Sequence, residues 1–370
     1  MSGVVLVDFV RSPFTLARKG GLAGVRPDDM AAEVVKALIR RTGINPDDIE
    51  DLKLGCAFPE GEQGLNMARL VALLAGLPQS VGGVTVNRFC GSSMQTIHDA
   101  AGAISMDAGE ALICAGVESM TRVPMMGFNP LPNPVLNADL PGAYIGMGET
   151  AENVAHRFGV SRADQEAFAV SSQRKAAAAN FADEIAPVGD VEKDGCLRPD
   201  TTADVLATLV PAFRADGTVT AGTSSPLTDG AAAVLVCGED YARRHGMAPL
   251  AKIRSIAVSG CDPEIMGMGP VGASRRALKR AGLSVDDIDI VELNEAFAAQ
   301  TLACIRELGL DEAKVNLDGG AIAIGHPLGA SGARITGKAA QLLKRHGKSF
   351  ALATMCIGGG QGIATILEAC

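Results

Sequence analysis

The sequence contains no tryptophan, no Cys-x-x-Cys pair, no Gly-Lys-Ser/Thr after a glycine run and no apolar stretch of membrane-spanning length. Most of these absences close a class of function. Without paired cysteines, and with five histidines that form no ligand cluster, no zinc or other metal site is expected. Without a lysine-bearing glycine loop, a P-loop is not supported. Positive charge is also scarce. The 33 Lys and Arg against 42 Asp and Glu leave a net charge of −9, which argues against nucleic acid or an anionic membrane as partner. An anionic small ligand stays open, because a few arginines and helix N-termini suffice to hold one. The nine cysteines are an odd number scattered singly between Cys56 and Cys370, a pattern of free thiols in a reducing compartment. No basic region precedes the short apolar run Val4–Val7, and the final Leu-Glu-Ala-Cys is not a usual peroxisomal address, so the expected location is cytoplasmic.

What is present is a glycine-rich α/β composition, 47% hydrophobic and 20% charged with 44 glycines, in a chain long enough for two or three domains. The most informative segment is Gly82-Gly-Val-Thr-Val-Asn-Arg-Phe-Cys-Gly-Ser-Ser-Met94, where a β-branched run gives way to a helical pattern. Cys90 is therefore expected at a strand-to-helix turn, facing a helix N-terminus that favours its thiolate. Near the other end lie Gly325-His326-Pro327 and Met355-Cys356-Ile-Gly358-Gly-Gly360. A cysteine on its own reads equally well as a small buried apolar residue. Two cysteines and a histidine, all beside glycines, point instead to covalent thiol chemistry. His326 precedes a proline, which biases it toward an extended, projecting backbone. Gly358–Gly360 reads as a turn whose N–H groups can face a developing oxyanion. His98, inside the helix after Cys90, reads as structural. Asn294-Glu-Ala-Phe297 puts an amide and a carboxylate just past a strand end, where α/β loops carry function. Gly267-Met-Gly269-Pro-Val-Gly272 spells a dinucleotide fingerprint but follows Cys-Asp-Pro-Glu rather than a strand and contains a proline, so no nicotinamide cofactor is expected.

The chain also repeats itself. Arg41–Phe58 matches Arg280–Phe297 at a constant offset of 239 residues, each copy reading helix, Gly stop, Asp-Asp and a strand ending in Ala-Phe. A looser echo, offset by 266, pairs the run before Cys90 with the run before Cys356 and puts the two cysteines at equivalent turns. Between the halves, Thr121–Gly142 carries five prolines among Met125, Met126 and Phe128, which excludes a regular helix or central strand and suggests a loop over a pocket. A helical stretch is expected over Glu149–Ala179, and Thr220–Gly230 returns the chain to the first half. The predicted fold is α/β, two repeated halves spanning 1–118 plus 222–246 and 247–370, with a covering-loop domain at 119–221.

Four spaced blocks, Asn87-Arg-Phe-Cys90-Gly-Ser-Ser, Asn294-Glu-Ala-Phe, Gly325-His326-Pro-Leu-Gly and Cys356-Ile-Gly358-Gly, resemble the signatures of the thiolases. The likeness runs the length of the chain and is closest to the thiolase β subunit of bacterial fatty-acid oxidation complexes. It implies a thiolase-like α-β-α-β-α core and CoA-dependent retro-Claisen cleavage of 3-ketoacyl-CoA through an acyl-cysteine, with coenzyme A as substrate and no permanently bound cofactor. By the same resemblance Cys90 is the nucleophile, His326 its base and Cys356 the second acid and base. His326 with a water held by Asn294 would form one oxyanion site, and the N–H groups of Cys90 and Gly358 the other. Ser225 and Arg198 are the implied CoA contacts. A homodimer or homotetramer is implied as well, and a β-oxidation α subunit as a partner, although the chain is shorter around Asp194–Pro199 than those subunits. Gly146 stands where biosynthetic members carry a histidine, which disfavours a short acetoacetyl substrate, and the Met- and Pro-rich loop suggests medium or long chains. The alternatives are an acetoacetyl-CoA-forming acetyltransferase, a ketoacyl synthase and a non-catalytic acyl-CoA-binding paralogue.

Overall fold

A computed structural model describes residues 3–370. Its strands are β1 (Val4–Arg11), β2 (Thr15–Leu16), β3 (Ile49–Gly55), β4 (Gly82–Val86), β5 (Ala111–Ser119), β6 (Thr228–Gly238), β7 (Ala251–Gly260), β8 (Ile290–Leu293), β9 (Phe350–Ile357) and β10 (Gln361–Glu368). They run in the order β4-β3-β5-β6-β1-β7-β10-β9-β8, with the short β2 beside β6. Only two residue pairs, Val5 with Lys252 and Leu6 with Ala251, join β1 to β7, so the sheet divides there into two halves. β5, β6 and β9 are buried nearly throughout, which is why they read as continuous apolar runs and not as alternating ones.

Helices make three layers around these halves. Pro27–Thr42 packs on the outer side of β5 and β6, and Gly269–Ala281 on the outer side of β7 and β10. Between the halves lie Ser92–Ser105 and Leu328–His346, which pack on each other. Leu328–His346 touches strands of both halves and is buried on nearly every face. A helix can be buried all round only if its neighbours come close, and its first turns are accordingly Gly329-Ala-Ser-Gly332-Ala. A Cβ on Gly329 would sit 2.3 Å from the Val117 carbonyl oxygen. This is the expected α-β-α-β-α layering.

The repeat is visible in strand register. Leu52 of β3 pairs with Ile113 of β5, and Val291 of β8 pairs with Leu352 of β9, both parallel and both related by the offset of 239. Both copies of the repeated segment begin by ending a helix on a left-handed glycine, Gly43 at φ 64° and Gly282 at φ 72°. The expected equivalence of Cys90 with Cys356, however, does not hold. Cys90 lies two residues before the central helix that starts at Ser92, and the residue two before its partner helix at Leu328 is His326. Cys356 belongs to β9, whose counterpart is β5. The chain leaves β9 by the tight turn Gly358–Gly360 into β10 but leaves β5 by the long segment 120–227 before β6. The 266-residue echo compares a strand-to-helix turn with a hairpin.

That long segment differs in detail from its sequence pattern. The stretch expected as one helix is two, Met147–Arg157 and Arg162–Ala178, separated at Gly159 (φ 62°) and restarted by Ser161, whose hydroxyl accepts from the Asp164 N–H. The proline-rich part includes a short helix, Pro134–Asp139, capped by Asn133, and a 3₁₀ turn beginning at Pro141. Both prolines occupy a first helical position, where the missing N–H costs no bond.

Candidate active site

Cys90 ends a tight turn after β4. Asn87 Oδ1 accepts from the Phe89 N–H at 2.8 Å, Ser92 Oγ accepts from the Arg88 N–H at 2.9 Å, and Phe89 is forced to φ 42°. A bulky residue there stores backbone strain that the surrounding bonds must hold. The thiol is 2% exposed. Burial pushes it up to about 12, and a hydrogen bond from the Gly358 N–H pulls the other way without overcoming it. The expected depression by the helix N-terminus is therefore outweighed by desolvation. Cys356 closes β9 and is pushed well above its ordinary value by burial, with Cys90 adding to the effect. The resting site holds two neutral thiols.

His326 follows Gly325, whose φ of 105° suits only glycine. Its N–H donates to Thr228 Oγ1 at 3.0 Å, and its ring is held at both nitrogens. Ser331 Oγ is 2.5 Å from Nδ1 and donates its own proton to the Pro327 carbonyl, so Nδ1 carries hydrogen. Asn294 Nδ2 then donates to a bare Nε2 at 3.3 Å. This network leaves Nε2 as a base, and burial lowers the ring to about 3, keeping it neutral. Asn294 is placed by its N–H bond to the Thr354 carbonyl at the end of β8, and its Oδ1 is buried without a partner. Its neighbour Glu295 points away, accepting from Ser172, Asn316 and the Ile322 N–H, and braces the loop that leads to His326.

Cys90, His326 and Cys356, more than 230 residues apart in part, wall one cavity of about 280 Å³. Ser225 and Gly146 share that wall, and Ser225 is fixed by its N–H bond to the Ala296 carbonyl at 3.0 Å. Gly358 faces Cys90 from a second cavity of about 260 Å³. Arg198 is exposed on the covering segment and lines neither cavity, and its N–H donates to Gln173 Oε1. Three supporting residues have no motif of their own in the reading above. Ser331 could have been found as the hydroxyl five residues beyond His326, on the first turn of the following helix. Thr228 and Glu118 act across the fold. Glu118 accepts from the N–H groups of Ala57, Phe58 and Gly329 and so ties the floor beside Cys90 to the helix after His326. No group of His, Cys, Asp and Glu among the described residues is arranged to hold a metal ion.

Two buried neutral imidazoles make stability sensitive to acid. His98, as expected, is structural. It shares a hydrogen bond with Thr365, and burial lowers it to about 3, as it does His326. The unfolded chain takes up both protons as pH falls through about 6.5, and the folded chain refuses them until about 3. Stability should thus fall on acidification in this window, each ring contributing a slope of about 1.4 kcal/mol per pH unit. Urea unfolding between pH 7 and pH 4 should show His98→Gln lowering the slope by about that amount. An unchanged slope would contradict this account.

The thiolase N-terminal domain model matches residues 4–240 and the thiolase C-terminal domain model matches residues 247–369. The chain belongs to the thiolase family. Among its relatives, 3-ketoacyl-CoA thiolase of Bacillus subtilis (strain 168) is 51% identical over 391 residues, covering 100% of both chains. The 3-ketoacyl-CoA thiolase of Escherichia coli O139:H28 is 50% identical over 389 residues, again covering 100% of both. Human mitochondrial 3-ketoacyl-CoA thiolase in complex with CoA superposes with a TM-score of 0.91 at 40% identity, over 100% of this chain and 98% of that one. No helix among the described residues is long and apolar enough to cross a membrane.

Proposed function

We propose that this protein is a 3-ketoacyl-CoA thiolase that cleaves its substrate with a second CoA to acetyl-CoA and a shortened acyl-CoA. The observation that carries the proposal is the cavity in which Cys90, His326 and Cys356 meet. Cys90 Sγ attacks the 3-keto carbon as its proton passes to His326 Nε2. The former keto oxygen, now an alkoxide, takes hydrogen bonds from the N–H groups of Cys90 and Gly358. Its collapse breaks the C2–C3 bond and leaves an acyl-Cys90 thioester and the enolate of acetyl-CoA. The enolate oxygen is held by the Nε2–H that His326 has just gained and by a group on Asn294, and its carbon takes the Cys356 proton. The incoming CoA thiol returns a proton to Cys356, attacks the thioester, and expels Cys90, which is reprotonated from His326. High resting thiol values suit this sequence, because each proton moves only when a partner enters. The test is CoA-dependent loss of 3-ketoacyl-CoA absorbance. Cleavage is expected, and its absence at every chain length would refute the proposal.

The same reading includes a homodimer or homotetramer. β4 ends the sheet with β3 as its single neighbour, it carries no proline, and Val84 on it is 40% exposed. Such an edge invites pairing with a second copy. Light scattering after size exclusion should give two or four times the 37.9 kDa chain mass, and a monomer mass would count against it.

A further inference from the structure

Glu292 is buried with less support than the other carboxylates around the site. Glu118 accepts from the N–H groups of Ala57, Phe58 and Gly329 and from Gln63, and Glu295 from Ser172, Asn316 and the Ile322 N–H. Glu292 accepts one hydrogen bond among the described residues, from Arg334 Nη1 to Oε2 at 3.0 Å, and its Oε1 is buried without a partner. Both side chains are sealed, at 0% and 2% exposure. An ion pair so placed does little for stability, because desolvation offsets its attraction. We propose that Glu292 and Arg334 are positioning residues for the reaction: they hold the strand that carries Asn294 against the helix that follows His326, and they balance the charge that His326 gains with the Cys90 proton.

The geometry is a ladder with two rungs. Side chains alternate along a strand, so Glu292 and Asn294 lie on the same side of β8. The bond from the Asn294 N–H to the Thr354 carbonyl carries that alternation past Leu293. On the helix Leu328–His346, which packs on β8, Ser331 and Arg334 stand three residues apart on one face. The upper rung runs from Asn294 through His326 to Ser331, with contacts of 3.3 and 2.5 Å. The lower rung is Glu292 with Arg334. In the proposed first step the Cys90 proton gives the His326 ring a positive charge inside a sealed site. The Arg334 cation opposes that charge and, after burial, is the second cause of the ring's low basicity. The Glu292 carboxylate cancels Arg334. Four charged groups bear on Glu292: Arg334 and Lys338 of the helix favour its carboxylate, and Asp318 and Glu295 oppose it. Burial outweighs the two cations and pushes Glu292 up to about 7. As pH falls through that value the carboxylate takes a proton, Arg334 loses its counter-charge, and His326 becomes a weaker base.

This inference rests on the thiolase reading, and the assay separates the two. kcat and KM are measured with a ten-carbon 3-ketoacyl-CoA between about pH 5.5 and about pH 9 for the wild type, Glu292→Gln and the double variant Glu292→Leu with Arg334→Met. Wild-type kcat should fall about tenfold per pH unit below about 7. That limb is not His326 or Cys90 itself, which titrate at about 3 and about 12. Glutamine keeps the shape and still accepts from Arg334 but never carries charge. Its kcat at about pH 8 should lie about tenfold below wild type, with KM within about twofold and the acid limb gone. The double variant removes both charges together and packs apolar groups in their place, an exchange that folds well in other buried pairs. It should recover kcat to within about threefold of wild type, again with no acid limb, and it carries the test if the glutamine variant does not fold. A flat wild-type profile between about pH 8 and about pH 6, an acid limb kept in either variant, or a Glu292→Gln kcat equal to wild type overturns the role of the pair alone. Absence of cleavage by the wild type overturns the thiolase reading and the pair's role with it.

Discussion

Cys90→Ala should abolish cleavage, with kcat falling by at least about 10⁴-fold, as for other enzymes that lose a covalent nucleophile. The size of the effect follows from the site. Among the residues that wall the first cavity, Cys356 is the only other thiol, and Gly358 lies on the Cys90 side of the turn that separates them. With Cys90 gone, Cys356 would have to attack without the base at His326 and without the two N–H donors directed at the Cys90 adduct. Serine should rescue little, because a buried hydroxyl holds its proton more tightly than a thiol and its ester exchanges more slowly with CoA. Folding should survive, since the lost sulfur faces a cavity that is already open. The comparison to make is turnover with a ten-carbon substrate beside mass spectrometry of enzyme mixed with substrate alone. Wild type should gain the acyl mass on the Cys90 peptide, and the variant should gain none. Residual turnover above one part in a hundred would place the nucleophile elsewhere.

How far the chain could be read from its residues depended on whether the relevant physics was local. Gly43 and Gly282 stop helices by a rule that needs one residue, and the strand that follows each has its own apolar pattern, so the repeat survived into the register of β3 with β5 and β8 with β9. The pairing of Cys90 with His326 left no such trace. In the second half the strand matching β4 is reduced to a single bridge between Val291 and Val315. That changes the spacing to the helix from 239 residues to 236 and puts unlike residues at like places. The two cysteines, being alike, drew the wrong comparison. Helix dipole and glycine turn were correctly located around Cys90, but the thiol's proton affinity is set by a 2% exposure that no local pattern reports. Glu118 is the extreme case. It sits in an apolar strand, and its meaning lies in backbone N–H groups sixty and two hundred residues away.

Arg11→Ala should destabilise the fold by about 3–5 kcal/mol, the cost of stranding buried carboxylates. Arg11 is fully buried at the end of β1. Its Nε donates to Glu184 at 2.6 Å, and its two terminal nitrogens grip both oxygens of Asp194 at 2.6 and 2.8 Å. Burial works against the cation, but Asp194 and then Glu184 outweigh it and hold the proton more firmly than in water. Both carboxylates belong to the long segment between β5 and β6, so one side chain fastens that segment to the sheet. Glu184 also pairs with Lys338 of the central helix, which pairs in turn with Asp318. Removing Arg11 leaves Glu184 to Lys338 and leaves Asp194 with the Phe14 N–H. Arg11→Lys should recover less than half, because one ammonium cannot reproduce a two-pronged grip on Asp194 and a third bond to Glu184. Urea unfolding at pH 7 gives the numbers. A loss below about 1 kcal/mol for alanine would mean that water replaces the guanidinium and the network is not sealed. Activity should suffer before the fold does. The Gly195 N–H and the Cys196 thiol both donate to the Phe14 carbonyl, and Cys196 lies beside Thr228, whose hydroxyl holds the His326 backbone. A loosened Asp194 is therefore three contacts from the base, and kcat should fall at temperatures where the variant is still folded.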